Sequence, residues 1–211
     1  MSGFSRNGKT VWPCQAVFYI GRRLIMACCG FVKMLEKSVK KEQLSIHLRI
    51  QYLCKAALAL SIGVFGLLVA SGNIIDYDSN WQFVRRVLAM DALEPWFNGA
   101  ALEGRAVRDP FGQQLAYFAI IAGEMICGLL CAAGGIGMLR AAAGRDGLAW
   151  GKSLFTLGAL VAVLVWYFGF AVVGGEYFAM WASKWNGQMK AYAFVGFILL
   201  SLVYIRQREE A

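Results

Sequence analysis

Glu124 is the residue of this 211-residue chain whose type and setting most directly suggest chemistry. It is the only charged side chain in the apolar run 115–139. At helical rise it lies about 14 Å from the start of that run, near the middle of a hydrocarbon layer about 30 Å thick. A carboxylate at that depth costs at least about 2.5 kcal/mol on insertion scales, so it must be protonated, paired or turned toward water. A neutral Glu124 would tie helices together by hydrogen bonds. A titrating one would carry protons or contact a ligand. Counting back along the antiparallel run 154–173 puts Tyr167 at a similar level, where its hydroxyl could meet Glu124.

Two polar stretches supply the other candidates. The first, residues 73–91, reads NIIDYDSNWQFVRRVLAMD, and the second, residues 174–188, reads GGEYFAMWASKWNGQ. Asn73, Asp76 and Asn80 from the first, with Glu176 and Asn186 from the second, are expected to form one polar cluster above Glu124 and Tyr167. Gln188 could join them. Asp76, Asp78 and Asp91 have a spacing that matches no calcium loop, so capping and pairing with Arg85 and Arg86 explain them better. Trp81, Val84 and Leu88 recur on one helical face, which predicts a short helix lying on the membrane surface. Tyr177, Phe178, Trp181 and Trp185, together with Trp81 and Trp96, read as an interfacial aromatic belt. Gly174 and Gly175 either release the chain from its helix or admit a neighbouring segment.

Other chemistries lack their residues. Haem between membrane helices usually needs paired histidines, and the single histidine, His47, precedes the first span. Zinc and di-iron centres fail for the same want of ligands. No phosphate-binding glycine loop, dinucleotide fingerprint or CxxC pair occurs, and no serine or cysteine has a histidine partner. We therefore expect no catalytic residue, no metal, no cofactor and no enzyme.

The elements that must hold these residues are membrane helices. Hydrophobic residues make up 59% of the chain and charged ones 16%, too little polar surface to coat a soluble globule of this size. Four runs, 56–72, 115–139, 154–173 and 189–205, approach the roughly 20 residues that span a bilayer. The expected fold is all-α: a polytopic four-helix transmembrane bundle with a short surface helix in the first exported loop. The expected organisation is a basic leader over 1–50, amphipathic or preceding a later start, then a membrane domain over 51–206 and a tail over 207–211. Fifteen Lys and Arg fall on the side of the N-terminus and six on the other. The positive-inside rule then places both termini in the cytoplasm and both polar stretches outside. The net charge of +8 follows from topology and attraction to anionic lipid, and needs no nucleic acid.

Ala119, Gly123, Cys127, Cys131 and Gly135 recur every four residues and are expected to line one packing face. With the two polar stretches and the Glu124-bearing run, the chain resembles the DUF2165 family of predicted small bacterial integral membrane proteins over about 52–205. The resemblance implies a four-span protein of the bacterial inner membrane and supplies no catalytic residues to transfer. Two classes of function fit. The first is an accessory or scaffold protein that binds partner membrane subunits or a second copy of itself within the lipid bilayer. The alternative is a small-molecule or proton-linked transporter using Glu124 and Glu176.

Overall fold

The structure, a computed structural model, describes residues 14–209, with side chains from Ser45 onward. It divides into two compact units, Met1–His47 and Leu48–Ala211. In the first unit the backbone is helical from Cys14. The expected amphipathic face of the leader, and Cys14, Cys28 and Cys29, lie outside the described side chains.

The second unit is built from helices. Among the described residues four are long and apolar enough to cross a membrane: Ser45–Ile75, Pro110–Ala142, Leu148–Tyr177 and Gln188–Arg206. Each expected apolar run falls inside one of them. In chain order α1 is Cys14–Ile75, α2 Tyr77–Ala89, α3 Pro110–Ala142, α4 Leu148–Ala162 and α5 Gln188–Arg206, with no strand among the described residues. This is the expected polytopic all-α bundle, and α2 is the expected short surface helix. Val84, Val87 and Ala89 form its buried side. The start of α3 has a local cause, because the Asp109 carboxylate accepts from Gly112 N at 2.7 Å and Pro110 fills the first turn.

Glycines set how closely the helices approach. A Cβ on Gly128 of α3 would stand 2.7 Å from the Leu67 amide of α1, and one on Gly63 would stand 2.6 Å from the Ala132 amide. The α1 and α3 backbones are therefore in contact, as in small-xxx-small pairs. The expected stripe does not share one neighbour. Ala119 is exposed, Gly123 lies against Val165, Cys127 and Cys131 are fully buried, and Gly135 faces Leu60 of α1. Positions four apart advance about 40° around a helix of 3.6 residues per turn, so five of them sweep well beyond a single contact face.

The third span departs from α-helical winding. From Val163 to Tyr177 it is a π-helix. Such i→i+5 winding is uncommon and shifts side-chain directions relative to a count of 3.6 per turn. Trp166 turns inward, 3% exposed, and packs on Phe65 and Phe194. Tyr167 turns outward, 46% exposed. Gly174 and Gly175 do not end the helix, which continues to Tyr177.

Gly128→Leu should overpack the α1–α3 contact and cost at least about 1–3 kcal/mol. Gly196→Leu, at a position where a Cβ would meet nothing within 4 Å, should stay within about 0.5 kcal/mol. Reversible unfolding in detergent micelles measures both.

Candidate functional site

The two polar stretches meet at one end of the bundle, here called the loop face. Leu93 and Ser183 form an isolated antiparallel bridge. Glu94 N donates to Ala182 O at 2.8 Å, Lys184 N to Ala92 O at 3.1 Å, and Ser183 Oγ to Ala92 O at 3.2 Å. The Trp181 ring packs against Phe97 at 5.2 Å and Trp96 at 6.1 Å. Phe178 and Met180 are buried beneath, against Val87 of α2. Some of the expected belt aromatics thus also join the two stretches, and Phe178 belongs to a core.

Under this junction lies a hydrogen-bonded chain. Tyr117 and Glu124 are seven residues apart on α3, two helical turns, and so share a face. Both are 1% exposed. Tyr117 Oη donates to the Asn73 carbonyl at 2.8 Å, and Asn73 Nδ2 donates to Glu124 Oε2 at 2.6 Å. One residue near the end of α1 therefore satisfies two buried polar groups of α3. Tyr77 and Trp81 of α2 hold the Tyr117 ring, with centroids 5.0 and 5.8 Å away.

Above the chain is a cavity of about 220 Å³, here called the mouth, whose polar lining is Asn73, Asn80, Tyr117, Asn186 and Lys190. Three expected site residues, Asn73, Asn80 and Asn186, are brought together here. Asn80 Nδ2 also donates to Asp76 O at 3.1 Å, fixing the α1–α2 turn. Asn186 Oδ1 accepts from Gln188 N at 3.0 Å where α5 begins. Glu124 sits behind Asn73 and does not line the cavity. Asp76 is exposed at the helix junction.

Glu176 and Tyr167 are placed elsewhere. Glu176 Oε1 accepts from Gln188 Nε2 at 3.0 Å, and that amide also donates to Ala171 O and to Tyr192 Oη. Gln188 fits there because Gly175 has no side chain, a Cβ being blocked by the amide itself. Gly175 thus serves the approach of a neighbouring segment. Tyr167 does not reach Glu124, because the π-winding points it away from the bundle. Of the expected arginine pairs, Arg86 reaches Asp91 at 3.0 Å, whereas Arg85 Nε is buried without a hydrogen-bond partner among the described residues.

Tyr117 and Lys190 escaped sequence reasoning. Tyr117 carried a usable signal, its heptad distance from Glu124. Lys190 carried only its place in the first turn of the last span.

A second polar group lies at the opposite end of the bundle. Lys55 of α1, 2% exposed, and Lys152 of α4 both reach Glu209 Oε1, at 2.7 and 2.6 Å, and both donate to Gln207 O. Burial pushes the Glu209 carboxyl up, but hydrogen bonds from Lys152 and Lys55 outweigh it and hold the group below the ordinary glutamate range.

The model of a family described as predicted small integral membrane protein (DUF2165) matches residues 51–208. The chain belongs to the DUF2165 family. No curated protein matches the chain, and no solved structure does. The DUF2165 match includes every lining residue of the mouth, Glu124, and the two lysines of the opposite end.

Asn73→Ala should lower stability by about 1–3 kcal/mol by leaving Glu124 short of its side-chain partner, while the backbone carbonyl that receives Tyr117 remains. A double-mutant cycle with Glu124→Gln should show coupling of at least about 0.5 kcal/mol, and strict additivity would dismiss the link. A carboxyl depressed in the folded state stabilises fully above its unfolded pKa and loses that contribution as pH falls through the folded value. The stability advantage of the wild type over Glu209→Gln should therefore be constant near neutrality and vanish as pH falls below the ordinary glutamate range. Unfolding midpoints between about pH 7 and pH 3 measure this.

Proposed function

We propose that this DUF2165 protein is a non-enzymatic accessory or scaffold subunit of the bacterial inner membrane. Both termini are cytoplasmic in this reading, and the mouth faces the periplasm. The excess of Lys and Arg on the side of the termini supports that orientation.

One observation carries the accessory reading. Glu124 and Lys55 are the only buried charged residues among those described. Between them runs an apolar cluster that includes Ile62, Cys127, Cys131, Met138, Phe155 and Ile198. An ion or polar solute entering the mouth would meet this layer without a charged side chain to carry it onward, and the cost of burying an unpaired charge is high. The outer faces of the helices are apolar, with Leu68, Leu115, Phe118, Leu157 and Leu200 exposed. Such faces suit lipid, partner membrane subunits or a second copy of the chain.

A second reading, proton-linked or small-molecule transport, draws on the burial of Glu124 directly behind the mouth. Its second acid, Glu176, is engaged by Gln188 and lies off the mouth lining.

Photocrosslinkers at Trp96 and Leu200, placed in native membranes, should yield adducts larger than the monomer. Recovery of monomer alone would overturn the accessory reading. Proton uptake by reconstituted vesicles should be the same for wild type and Glu124→Gln, and loss of wild-type uptake in a folded Glu124→Gln protein would establish transport instead.

A further inference from the structure

The polar mouth has an apolar neighbour. A second cavity, of about 570 Å³, lies among α2, α3 and the π-helical stretch. Its volume falls in the range of roughly 300–1,000 Å³ usual for small-molecule sites. The walls are carbon: Ala116, Ala119 and Gly123 from α3, and Val165, Gly169 and Val173 from the π-helix, contribute to them. Phe83, Val84 and Phe170 line both this cavity and the mouth. The Phe83 and Phe170 rings stack there with centroids 6.1 Å apart. The two spaces therefore share a wall made of three apolar side chains, two of them aromatic rings able to turn about their side-chain torsions.

The π-helix serves both spaces. It gives Gly169 and Gly174 to the apolar cavity and Trp166 to the mouth, while Phe170 reaches both. Departures of this kind from α-winding concentrate at functional sites.

Charge distinguishes the mouth from its neighbour. Lys190 lines it and has no ion-pair partner among the described residues. The other polar lining groups, Asn73, Asn80, Tyr117 and Asn186, are amides and a phenol. Glu124 is capped by Asn73 and stands outside the lining. One cation thus stands in the mouth, which only the Phe83 and Phe170 rings and Val84 part from a carbon-walled cavity.

We infer that the two cavities together bind one anionic single-chain amphiphile of the fatty-acid class. Its chain lies in the apolar cavity and its carboxylate lies in the mouth beside Lys190. The apolar cavity that shares this wall accommodates one chain. The mouth, at about 220 Å³, suits a small head. A cationic or zwitterionic head would set an ammonium against Lys190, which selects against it. This inference is independent of the accessory reading, since it requires no partner subunit.

The test is equilibrium binding of radiolabelled palmitate to the full chain in phosphatidylcholine nanodiscs, with empty nanodiscs as the blank. Saturable binding above the blank is expected, with no competition from acetate or inorganic phosphate. Lys190→Gln should weaken palmitate by at least about tenfold and leave hexadecanol, which has the same chain and no charge, unchanged. Ala119→Trp, at an exposed position of the apolar wall, should reduce binding of both. A palmitate carrying a diazirine at its terminal carbon should label peptides from Pro110–Ala142 or Val163–Tyr177, whichever variant folds. Binding no greater than the blank would overturn the inference, as would unchanged palmitate affinity in Lys190→Gln, or labelling confined to other helices.

Discussion

The contact of α1 with α3 is the constraint on which the rest of the bundle depends. Gly63 and Gly128 leave no room for a Cβ between the two backbones, so the helices meet at a fixed depth and rotation. That register carries Asn73 to Glu124 at 2.6 Å and sets the Asn73 carbonyl against Tyr117 at 2.8 Å. The Glu124 carboxyl group thereby gains a hydrogen bond from a neighbouring helix, which lowers the cost of its burial in the hydrocarbon layer. Tyr117, once held, becomes the surface on which Tyr77 and Trp81 seat α2. Backbone proximity, acid satisfaction and placement of the surface helix follow in sequence.

The loop face is assembled from elements distant in the chain. Residues 92–94 and 182–184 pair backbone to backbone, and Trp96, Phe97 and Trp181 close over the pairing. Aromatic rings at a membrane interface can rest against lipid on one side and against one another on the other, so anchoring and assembly are not exclusive roles. Val87, Phe178 and Met180 give the junction a small core of its own. The mouth is lined from α1, α2, α3, the π-helix and α5.

Among the described residues, charge inside the bundle is held at two levels, one within the second span and one at the tail end. Glu124 marks one and the Lys55–Lys152–Glu209 group the other, with apolar packing between them. Each level is satisfied by groups from several helices. At the tail end one carboxylate serves two lysines from α1 and α4, which fastens the end of α5 to both.

Composition and the lengths of four apolar runs were enough to define an all-helical membrane chain, because hydrocarbon thickness and helical rise leave little freedom. The short surface helix was legible from the spacing of Trp81, Val84 and Leu88, and the joint location of Asn73, Asn80 and Asn186 from span direction. Glu124 was recognisable from depth, but its partner was not: side-chain direction in the third span rests on winding, and fifteen π-helical residues turned Tyr167 out and Trp166 in. Asn73 emerged as the partner only once helix rotation was known. Gln188 claimed Glu176 through a gap at Gly175 that sequence could mark but not fill. Lys190 and the Lys55–Glu209 pair depend on contacts between residues up to 154 positions apart. Sequence alone determined which segments lie in the membrane, since transfer free energy is a local property of each segment; tertiary structure decided which polar groups meet, since that depends on the rotation and close approach of whole helices.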